Sequence, residues 1–278
     1  MPELPEVETL RRGLEHHFSR RRIVDVEIIG SRTVRRHASE EVPQLLVGST
    51  VSKCGRHGKY LIVFLDSGIR MVIHLRMTGR LEIVTPPFLG DIKHLHARFR
   101  LDDDRELLFF DPRTFGEIFI STTKDADQLP DELASLGPDP LSEDFTLEHL
   151  AKVCKKRNAA IKSLLLDQNM IAGIGNIYGD EICYEAGVLP TKRASQLTDG
   201  ELAKLYKATG QILLKAVERK GSTLSDKKYL DITGSEGQYQ KHHRVYAKAG
   251  TPCTCCGNLI LRVKISGRSS YYCPYCQK

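Results

Sequence analysis

The sequence predicts an α+β fold, with a leading helix and a β-sandwich or barrel, then a helical region and a cysteine-bearing β-hairpin. Short apolar runs rich in Val, Ile and Phe recur between about residues 24 and 122, and turn-forming stretches interrupt them. After about residue 142, the apolar residues repeat at helical spacing instead. Many short strands followed by helices indicate separate β and α regions.

The strand-forming region is recognised from runs of four to six residues. They are YLIVFL (60–65), MVIHL (71–75), LLFF (107–110) and EIFI (117–120). Runs of this length, separated by stretches such as Asp66-Ser67-Gly68, are typical of strands. A helix is predicted ahead of them, from about Pro5 to His17, because proline is favoured in the first turn of a helix. Glu6 and Glu8 also lie near the positive end of its dipole.

The helical region follows a linker with the sequence LGPDPL (136–141). We expect four or more helices between about residues 142 and 220. One predicted helical face contains Ile161, Leu164, Leu165 and, a turn later, Gln168. Residues 221–250 are polar and glycine-rich with no clear period, so a partly mobile loop is expected there.

Composition and charge restrict the class of protein. The chain has no run of about 18 apolar residues, so no membrane span is expected. Its first residues are acidic and proline-containing, unlike a signal peptide, which predicts a cytosolic protein. The net charge of +6 is concentrated in arginine and lysine clusters such as Arg20–Arg22. Such clusters suit a polyanion, although a solvated basic surface would look the same.

The C-terminal cysteines predict a metal site. Cys253-x2-Cys256 and Cys273-x2-Cys276 are separated by sixteen residues, a spacing typical of a four-thiolate zinc site closed by a β-hairpin. Four thiolates leave no open position on the metal, so the zinc is expected to be structural. Cys255 adjoins the first pair, and only the spacing selects Cys256 over it. Three scattered cysteines are expected to be buried thiols: Cys54, Cys154 and Cys183.

The N-terminal sequence MPELPEVE suggests chemistry. Removal of Met1 would leave Pro2 as a free secondary amine, and an α-amino group titrates near roughly 8, so part of it is unprotonated at neutral pH. Such an amine can attack a sugar C1′ and form an iminium. Glu3 adjoins it as a possible acid or base, and Glu6 lies on the same helix face. An ordinary helix N-terminus would favour the same residues.

Two further segments suit phosphate. Gly173-Ile174-Gly175 precedes Asn176, and a glycine turn that opens a helix exposes backbone N–H groups toward an anion. Asn176 is predicted to cap that helix and to donate to phosphate, although ordinary helix packing would also use the glycines. Arg268 is predicted at the tip of the cysteine hairpin, where a guanidinium suits phosphate.

Taken in order, these segments resemble the formamidopyrimidine-DNA glycosylases over nearly the whole chain. The resemblance is carried by PELPEVETLRRGL (2–14), GRHGKYL (55–61), IHLRMTGRL (73–81), DPRTFG (111–116), LGPDPL (136–141), AIKSLLLDQNMIAGIGNIYGDE (160–181) and the cysteine tail with GRSSYYC (267–273). It implies an N-terminal β-sandwich with a leading helix, a C-terminal helix-two-turn-helix domain and a β-hairpin zinc finger. The implied domains are residues 1–135, 136–240 and 241–278.

The resemblance also implies catalytic roles. Pro2 would be the nucleophile, and Glu3 would protonate the sugar ring oxygen or shuttle protons. Glu6 would support that site, and Lys59 would contact the phosphate beside the lesion. Glu181 would lie near the lesion pocket.

DNA-binding roles follow from the same resemblance. His74, Asn176 and Arg268 would grip phosphates that flank the lesion. The gap left by an extruded nucleotide would be filled by Met77, Arg113 and Phe115. Arg113 would face the orphaned base, because its planar fork presents several donors. Outside this context, Met77 and Phe115 would be interpreted as ordinary core residues.

The implied activity is excision of oxidised purines, such as 8-oxoguanine and formamidopyrimidines, from double-stranded DNA, followed by β,δ-elimination at the abasic site. A structural zinc ion would be the cofactor, and a cytoplasmic bacterial monomer associated with the nucleoid is expected. Leu4 favours this branch over endonuclease VIII-type enzymes, which act on oxidised pyrimidines and usually begin with a PEGPE-like sequence. A non-catalytic zinc protein that binds DNA is a further alternative. Ser225 stands where the family commonly has Lys or Arg, which leaves lesion preference open.

Overall fold

The computed structural model describes residues 1–122 and 129–278, which form two compact units. One unit contains Met1–Ser135 and Lys220–Gln238, and the other contains Leu136–Arg219 and Tyr239–Lys278. Within the described ranges, every helix is too short or too polar to cross a membrane.

The first unit is built mainly from antiparallel strands. Its elements are α1 (Leu4–Phe18), β1 (Ile23–Ile28), α2 (Glu41–Leu46), β2 (Val51–His57), β3 (Tyr60–Leu65), β4 (Arg70–His74), β5 (Arg80–Val84), β6 (Leu95–Leu101), β7 (Glu106–Phe110) and β8 (Glu117–Ser121). Strands β1, β6, β7 and β5 form one sheet in that order, and β2, β3, β4 and β8 form another. The predicted helix and the four predicted strand runs are therefore confirmed.

Both sheets contribute to one apolar core. Phe99 and Phe109 come from the first sheet, and Val63 and Ile73 come from the second. Helix α1 adds the residues of its apolar face, including Leu10. This shared core makes the unit a β-sandwich with a leading helix, and its sheets are not closed into a barrel.

The segment 220–238 forms a loop, and two of its side chains pack into the same apolar core. Tyr229 and Ile232 are buried in the apolar core of the first unit. The Thr223 hydroxyl donates to the Tyr229 carbonyl oxygen at 2.9 Å and accepts the Gly237 N–H at 2.8 Å. The loop predicted from composition over 221–250 has one short 3-10 helix, Tyr239–His242, and no α-helix or strand. Hydrogen bonds define the path of its first part.

The second unit contains four α-helices and a β-hairpin within its described residues. They are α3 (Leu147–Lys155), α4 (Ile161–Leu165), α5 (Asn176–Glu185), α6 (Asp199–Glu218), β9 (Leu261–Ile265) and β10 (Arg268–Tyr272). The Thr198 hydroxyl and the Glu201 carboxylate form a capping box that starts α6. Both the helix count and the hairpin agree with the sequence-based expectation.

Gln168 is not on a helical face, contrary to the prediction. Helix α4 ends at Leu165, and Gln168 lies in the turn that follows. Its amide nitrogen donates to the Ile174 carbonyl oxygen at 2.8 Å, and its amide oxygen accepts the Gly173 N–H at 2.9 Å. Gln168 falls at helical spacing after Leu164 and Leu165, but its polar side chain binds backbone groups of the turn instead of continuing the helix.

Glu8 joins helix α1 to the sandwich. Its carboxylate forms ion pairs with Arg11 at 3.0 Å, Arg12 at 2.9 Å and Arg56 of β2 at 3.1 Å. Burial opposes ionisation of Glu8, but the three guanidiniums outweigh it and lower its pKa to about 2. Glu8 is therefore charged under ordinary conditions.

Replacing Glu8 with Gln is expected to destabilise the protein by about 2–3 kcal/mol at neutral pH. The reason is that Arg11, Arg12 and Arg56 would no longer have the carboxylate that neutralises their charges. Since the folded-state pKa is depressed, this stabilisation is present above about pH 4.5 and is lost as the pH falls toward about 2. Urea unfolding across this pH range measures the difference, with the exposed Glu40→Gln variant as control. A difference that did not change with pH would contradict the role of the Glu8 charge.

Candidate active site and nucleic-acid interface

The N-terminal residues are held by a buried pair of carboxylates. Glu3 and Glu6 are 2% and 1% exposed, and Pro2 is buried beside them. The Glu3 N–H donates to Glu6 Oε2 at 2.8 Å, as part of the capping box that starts α1. Because Glu3 directly follows Pro2, this bond fixes the backbone next to the predicted nucleophile.

The other oxygen of Glu6 binds the loop 220–238. Its Oε1 accepts the Ser222 N–H at 2.7 Å. Gly221 has a φ of +73°, and a Cβ there would lie 2.6 Å from Glu6 Oε1. Only glycine therefore fits this position without displacing the carboxylate. Sequence reasoning placed residues 221–250 in a loop but did not connect Gly221 or Ser222 to Glu6.

Lys59 and His74 lie at neighbouring strand ends. Lys59 follows Gly58 in the tight turn between β2 and β3 and is 7% exposed. His74 ends β4 opposite Tyr60, and the two rings are 4.3 Å apart. Burial lowers the His74 pKa to about 3, assisted by the positive charges of Arg76 and Lys59.

His74 is therefore neutral at physiological pH. Its Nδ1 is buried and has no hydrogen-bond partner among residues 1–122 and 129–278. A buried polar atom without a partner is costly unless a ligand supplies one. With the Lys59 charge nearby, this corner suits a phosphate oxygen.

Three exposed side chains form a wedge, defined here as Met77, Arg113 and Phe115. Met77 and Phe115 are 43% and 49% exposed, an unusual state for large apolar residues. The Arg113 guanidinium lies 4.7 Å from the Phe115 ring centroid and 3.5 Å from the Met77 sulfur. The structure thus brings these three predicted residues together outside the core, where they can contact a ligand.

Asp111 organises the wedge and was not predicted. This fully buried carboxylate accepts the Arg113 N–H at 3.2 Å, the Gly116 N–H at 2.6 Å and the Thr78 hydroxyl. It therefore holds both the turn that carries Arg113 and the residue after Met77. The available signal was an Asp at the start of a turn, where its carboxylate commonly binds backbone N–H groups two or more residues later.

In the second unit, the glycine turn leads into α5 as predicted, but the cap is different. Gly175 is the N-cap, and Asn176 is the first residue of the helix rather than its cap. Gly175 can adopt the extended cap conformation, and the Asn176 side chain is left available. The Asn176 Oδ1 is buried without a hydrogen-bond partner among the described residues, and the helix N-terminus favours an anion nearby.

Glu181 of α5 has a fully buried carboxylate. It accepts the N–H groups of Arg244, Val245 and Tyr246 at 2.8, 3.0 and 2.8 Å. Burial raises the pKa of this carboxyl, while the three N–H groups lower it. Within its own unit, Glu181 therefore orders residues 244–246.

Arg268 begins β10, directly after the turn of the hairpin, and its side chain is exposed. The residues that follow it are attached to the helices by a buried ion pair between Lys162 and Asp180, at 2.6 Å. Lys162 also donates to the Ser269 carbonyl oxygen, and Asp180 accepts the Ser270 hydroxyl and the Tyr271 N–H. We call this set the hairpin latch; it fixes the strand that carries Arg268 to α4 and α5.

The Lys162→Met variant is expected to lose about 3–5 kcal/mol of unfolding free energy, because Asp180 would remain buried without its counter-charge. The double variant Lys162→Met/Asp180→Leu removes both charges and should recover most of that loss. Urea unfolding of the two variants measures this. A single variant as stable as wild type would refute the latch as a source of stability.

The four predicted cysteines converge. Their sulfur atoms all lie within 4.8 Å of one another, with 3.9 Å between Cys253 and Cys276 and 3.4 Å between Cys256 and Cys273. A tetrahedral zinc with Zn–S bonds of about 2.3 Å requires sulfurs about 3.8 Å apart, so the site fits zinc. Cys255 is exposed and is not in this cluster. The expected thiols Cys54, Cys154 and Cys183 are buried, as predicted.

Two serine variants test this ligand assignment. Cys255→Ser is expected to retain about one zinc ion per chain, while Cys256→Ser should lose most of it, because three thiolates bind zinc more weakly than four. Zinc released by a thiol-blocking reagent and measured with a chromogenic chelator gives the ratio. Zinc loss in the Cys255 variant would overturn the assignment.

Comparison with known proteins agrees with this geometry. Residues 1–118 match the formamidopyrimidine-DNA glycosylase N-terminal domain, and residues 136–228 match the H2TH domain of the same glycosylases. Residues 250–278 match the zinc finger found in FPG and IleRS. The match therefore covers most of the chain, in the order that the sequence segments suggested.

Individual relatives are similar over their full length. The chain is 42% identical to formamidopyrimidine-DNA glycosylases of Pelotomaculum thermopropionicum and Desulforamulus reducens, with 100% of this chain and 99% of each relative covered. A Lactococcus lactis FPG mutant bound to Fapy-dG-containing DNA has a TM-score of 0.89, 33% identity and full coverage of both chains. MutM in complex with DNA containing carbocyclic 8-oxo-G has a TM-score of 0.90, 34% identity and the same coverage. With these matches and the site geometry together, the chain belongs to the formamidopyrimidine-DNA glycosylase family.

Proposed function

We propose that this protein excises oxidised purines from double-stranded DNA and then cleaves the strand at the abasic site, with the Pro2 amine as nucleophile. The observation that carries this proposal is the buried Glu3–Glu6 pair, which fixes the backbone beside Pro2. Relatives are named for the glycosylase activity, and solved structures of the family hold DNA with an abasic site or a Fapy-dG lesion.

The chemistry begins at the amine exposed by removal of Met1. Its nitrogen forms a bond to C1′ as the bond from C1′ to the damaged base breaks, and the base leaves with a proton. Glu3 is the candidate donor to the sugar ring oxygen, since it directly follows Pro2 and is buried. Opening of the ring gives an iminium between Pro2 and the sugar.

Strand cleavage then follows from the electron-withdrawing iminium. It acidifies the C2′ protons, so removal of one proton expels the 3′ phosphate by β-elimination. A second, δ-elimination expels the 5′ phosphate, and hydrolysis of the iminium returns the amine. These steps need no oxidant or reductant, and the zinc ion has a structural role.

Each unit, taken by itself, has side chains that we propose contact DNA phosphates. Lys59 and His74 are proposed to bind phosphates near the lesion, and Asn176 and Arg268 are proposed to bind flanking phosphates. The buried His74 Nδ1, which has no partner in the described part of the chain, and the position of Asn176 at the N-terminus of α5 support this assignment.

Base extrusion explains the exposed wedge. An enzyme that reacts at C1′ of a stacked nucleotide must flip it out, which costs a few kcal/mol. Met77 and Phe115 are proposed to replace the lost stacking, and Arg113 to face the orphaned base. Their exposure and mutual contacts support this role. Glu181 is proposed to support the lesion pocket by ordering residues 244–246.

We further propose that residues 1–135 are a catalytic β-sandwich domain, residues 136–240 a helix-two-turn-helix DNA-binding domain with a lesion-capping loop, and residues 241–278 a four-cysteine zinc finger. The protein would act in the bacterial cytoplasm, on nucleoid DNA. Its similarity to bacterial proteins named for a DNA glycosylase activity supports this location.

Lesion preference can be tested by excision rates. The wild-type protein is expected to release 8-oxoguanine opposite cytosine faster than thymine glycol, and Pro2→Gly should reduce strand cleavage by a factor of about a hundred or more, since its amine is not held by the proline ring. Single-turnover assays on both duplexes measure this. Preference for thymine glycol would indicate an endonuclease VIII-type activity, and binding without cleavage would indicate a non-catalytic protein.

A further inference from the structure

An open groove in the first unit joins the wedge to the N-terminus. It has a volume of about 610 Å³ and is lined by Met1, Arg35, Arg76, Met77, Phe115 and Glu117. Two of its lining residues belong to the wedge, and Met1 directly precedes Pro2. A strand that presents C1′ to Pro2 and leaves a gap for the wedge would therefore pass along this groove.

Backbone hydrogen bonds fix the position of Arg35 at the groove. Its N–H donates to the Ile118 carbonyl oxygen at 2.9 Å, and the Ile118 N–H donates to the Thr33 carbonyl oxygen at 2.8 Å. The preceding Val34 is buried in the core, whereas the Arg35 side chain is exposed. A fixed backbone with a free guanidinium loses little entropy when it binds a ligand.

The charge of Arg35 is not compensated within the groove. Glu117, the carboxylate that lines the groove, forms an ion pair with Arg76 at 2.8 Å. It is therefore not paired with Arg35. Arg35 has no ion pair within the described ranges 1–122 and 129–278. An unpaired guanidinium beside the exposed Met77 and Phe115 side chains suits nucleic acid, which has anionic phosphates and aromatic bases.

We propose that Arg35 binds a DNA phosphodiester beside the wedge and so contributes to the affinity for the damaged strand. This inference rests on the proposed function, since it takes the groove to be the path of the damaged strand. Loss of the Arg35 charge should weaken binding in a salt-dependent way and leave the chemical step unchanged at saturating enzyme.

The salt dependence of binding measures this contact directly. Each phosphate neutralised on B-DNA contributes about −0.9 to the slope of log K against log salt concentration. For a duplex carrying a tetrahydrofuran abasic analogue, which is not cleaved, Arg35→Gln should make the slope about 0.9 less negative than wild type. The affinity ratio of wild type to variant should then fall about 3.5-fold between about 50 and 200 mM salt.

Arg20→Gln is the matched control. Arg20 is exposed and carries the same charge, but it follows the C-terminal end of the fifteen-residue helix α1, about 22 Å along the helix from Pro2. Its slope should equal that of wild type. Arg35→Lys keeps the charge and should also retain the wild-type slope.

An Arg35→Gln slope equal to wild type would overturn the proposal, as would an equal change in Arg20→Gln. A reduced single-turnover rate of Arg35→Gln on 8-oxoguanine duplex at saturating enzyme would also overturn a role in binding alone. A wild-type protein that binds damaged DNA but does not cleave it would refute the proposed function, while the slope comparison would still be interpretable. Failure of the wild-type protein to bind damaged DNA would overturn both.

Discussion

Both oxygens of the Glu6 carboxylate accept backbone N–H groups, and much of the first unit's site depends on these two bonds. One comes from the Glu3 N–H, next to Pro2, and the other comes from the Ser222 N–H in the loop 220–238. The terminus that carries the proposed nucleophile and this loop are thus attached to the same buried group. This arrangement requires glycine at position 221, because any side chain there would collide with the Glu6 carboxylate.

Other parts of the site repeat this principle. Asp111 holds the turn that carries Arg113, Asp180 holds the strand that follows Arg268, and Glu181 holds residues 244–246. Each is a fully buried carboxylate that accepts backbone N–H groups. A buried charge is tolerated only when it is satisfied by hydrogen bonds or a counter-charge, so these acids make their loops rigid. The exposed side chains proposed to contact DNA are in this way carried on backbone that hydrogen bonds hold in place.

The sequence allowed the strands, the long helices and the zinc ligands to be predicted, because each depends on a local pattern. Alternating burial and helical spacing are visible within one segment, and the spacing of the cysteine pairs is itself the signal. The partners of Glu6 and Asp180 could not be found in this way. Ser222 is more than two hundred residues from Glu6, and no periodicity links them. The Asn176 cap was misjudged because the preceding Gly175 can also cap a helix, and it is the residue with the extended cap conformation.

The central claim is that the Pro2 amine becomes covalently attached to the sugar. Borohydride reduction during reaction with a duplex carrying 8-oxoguanine opposite cytosine would trap that adduct. The account predicts a stable protein–DNA product whose cross-linked peptide begins at Pro2, and far less of it from the Pro2→Gly variant in the same reaction time. A cross-link at a lysine such as Lys59, or an undiminished product from Pro2→Gly, would contradict it.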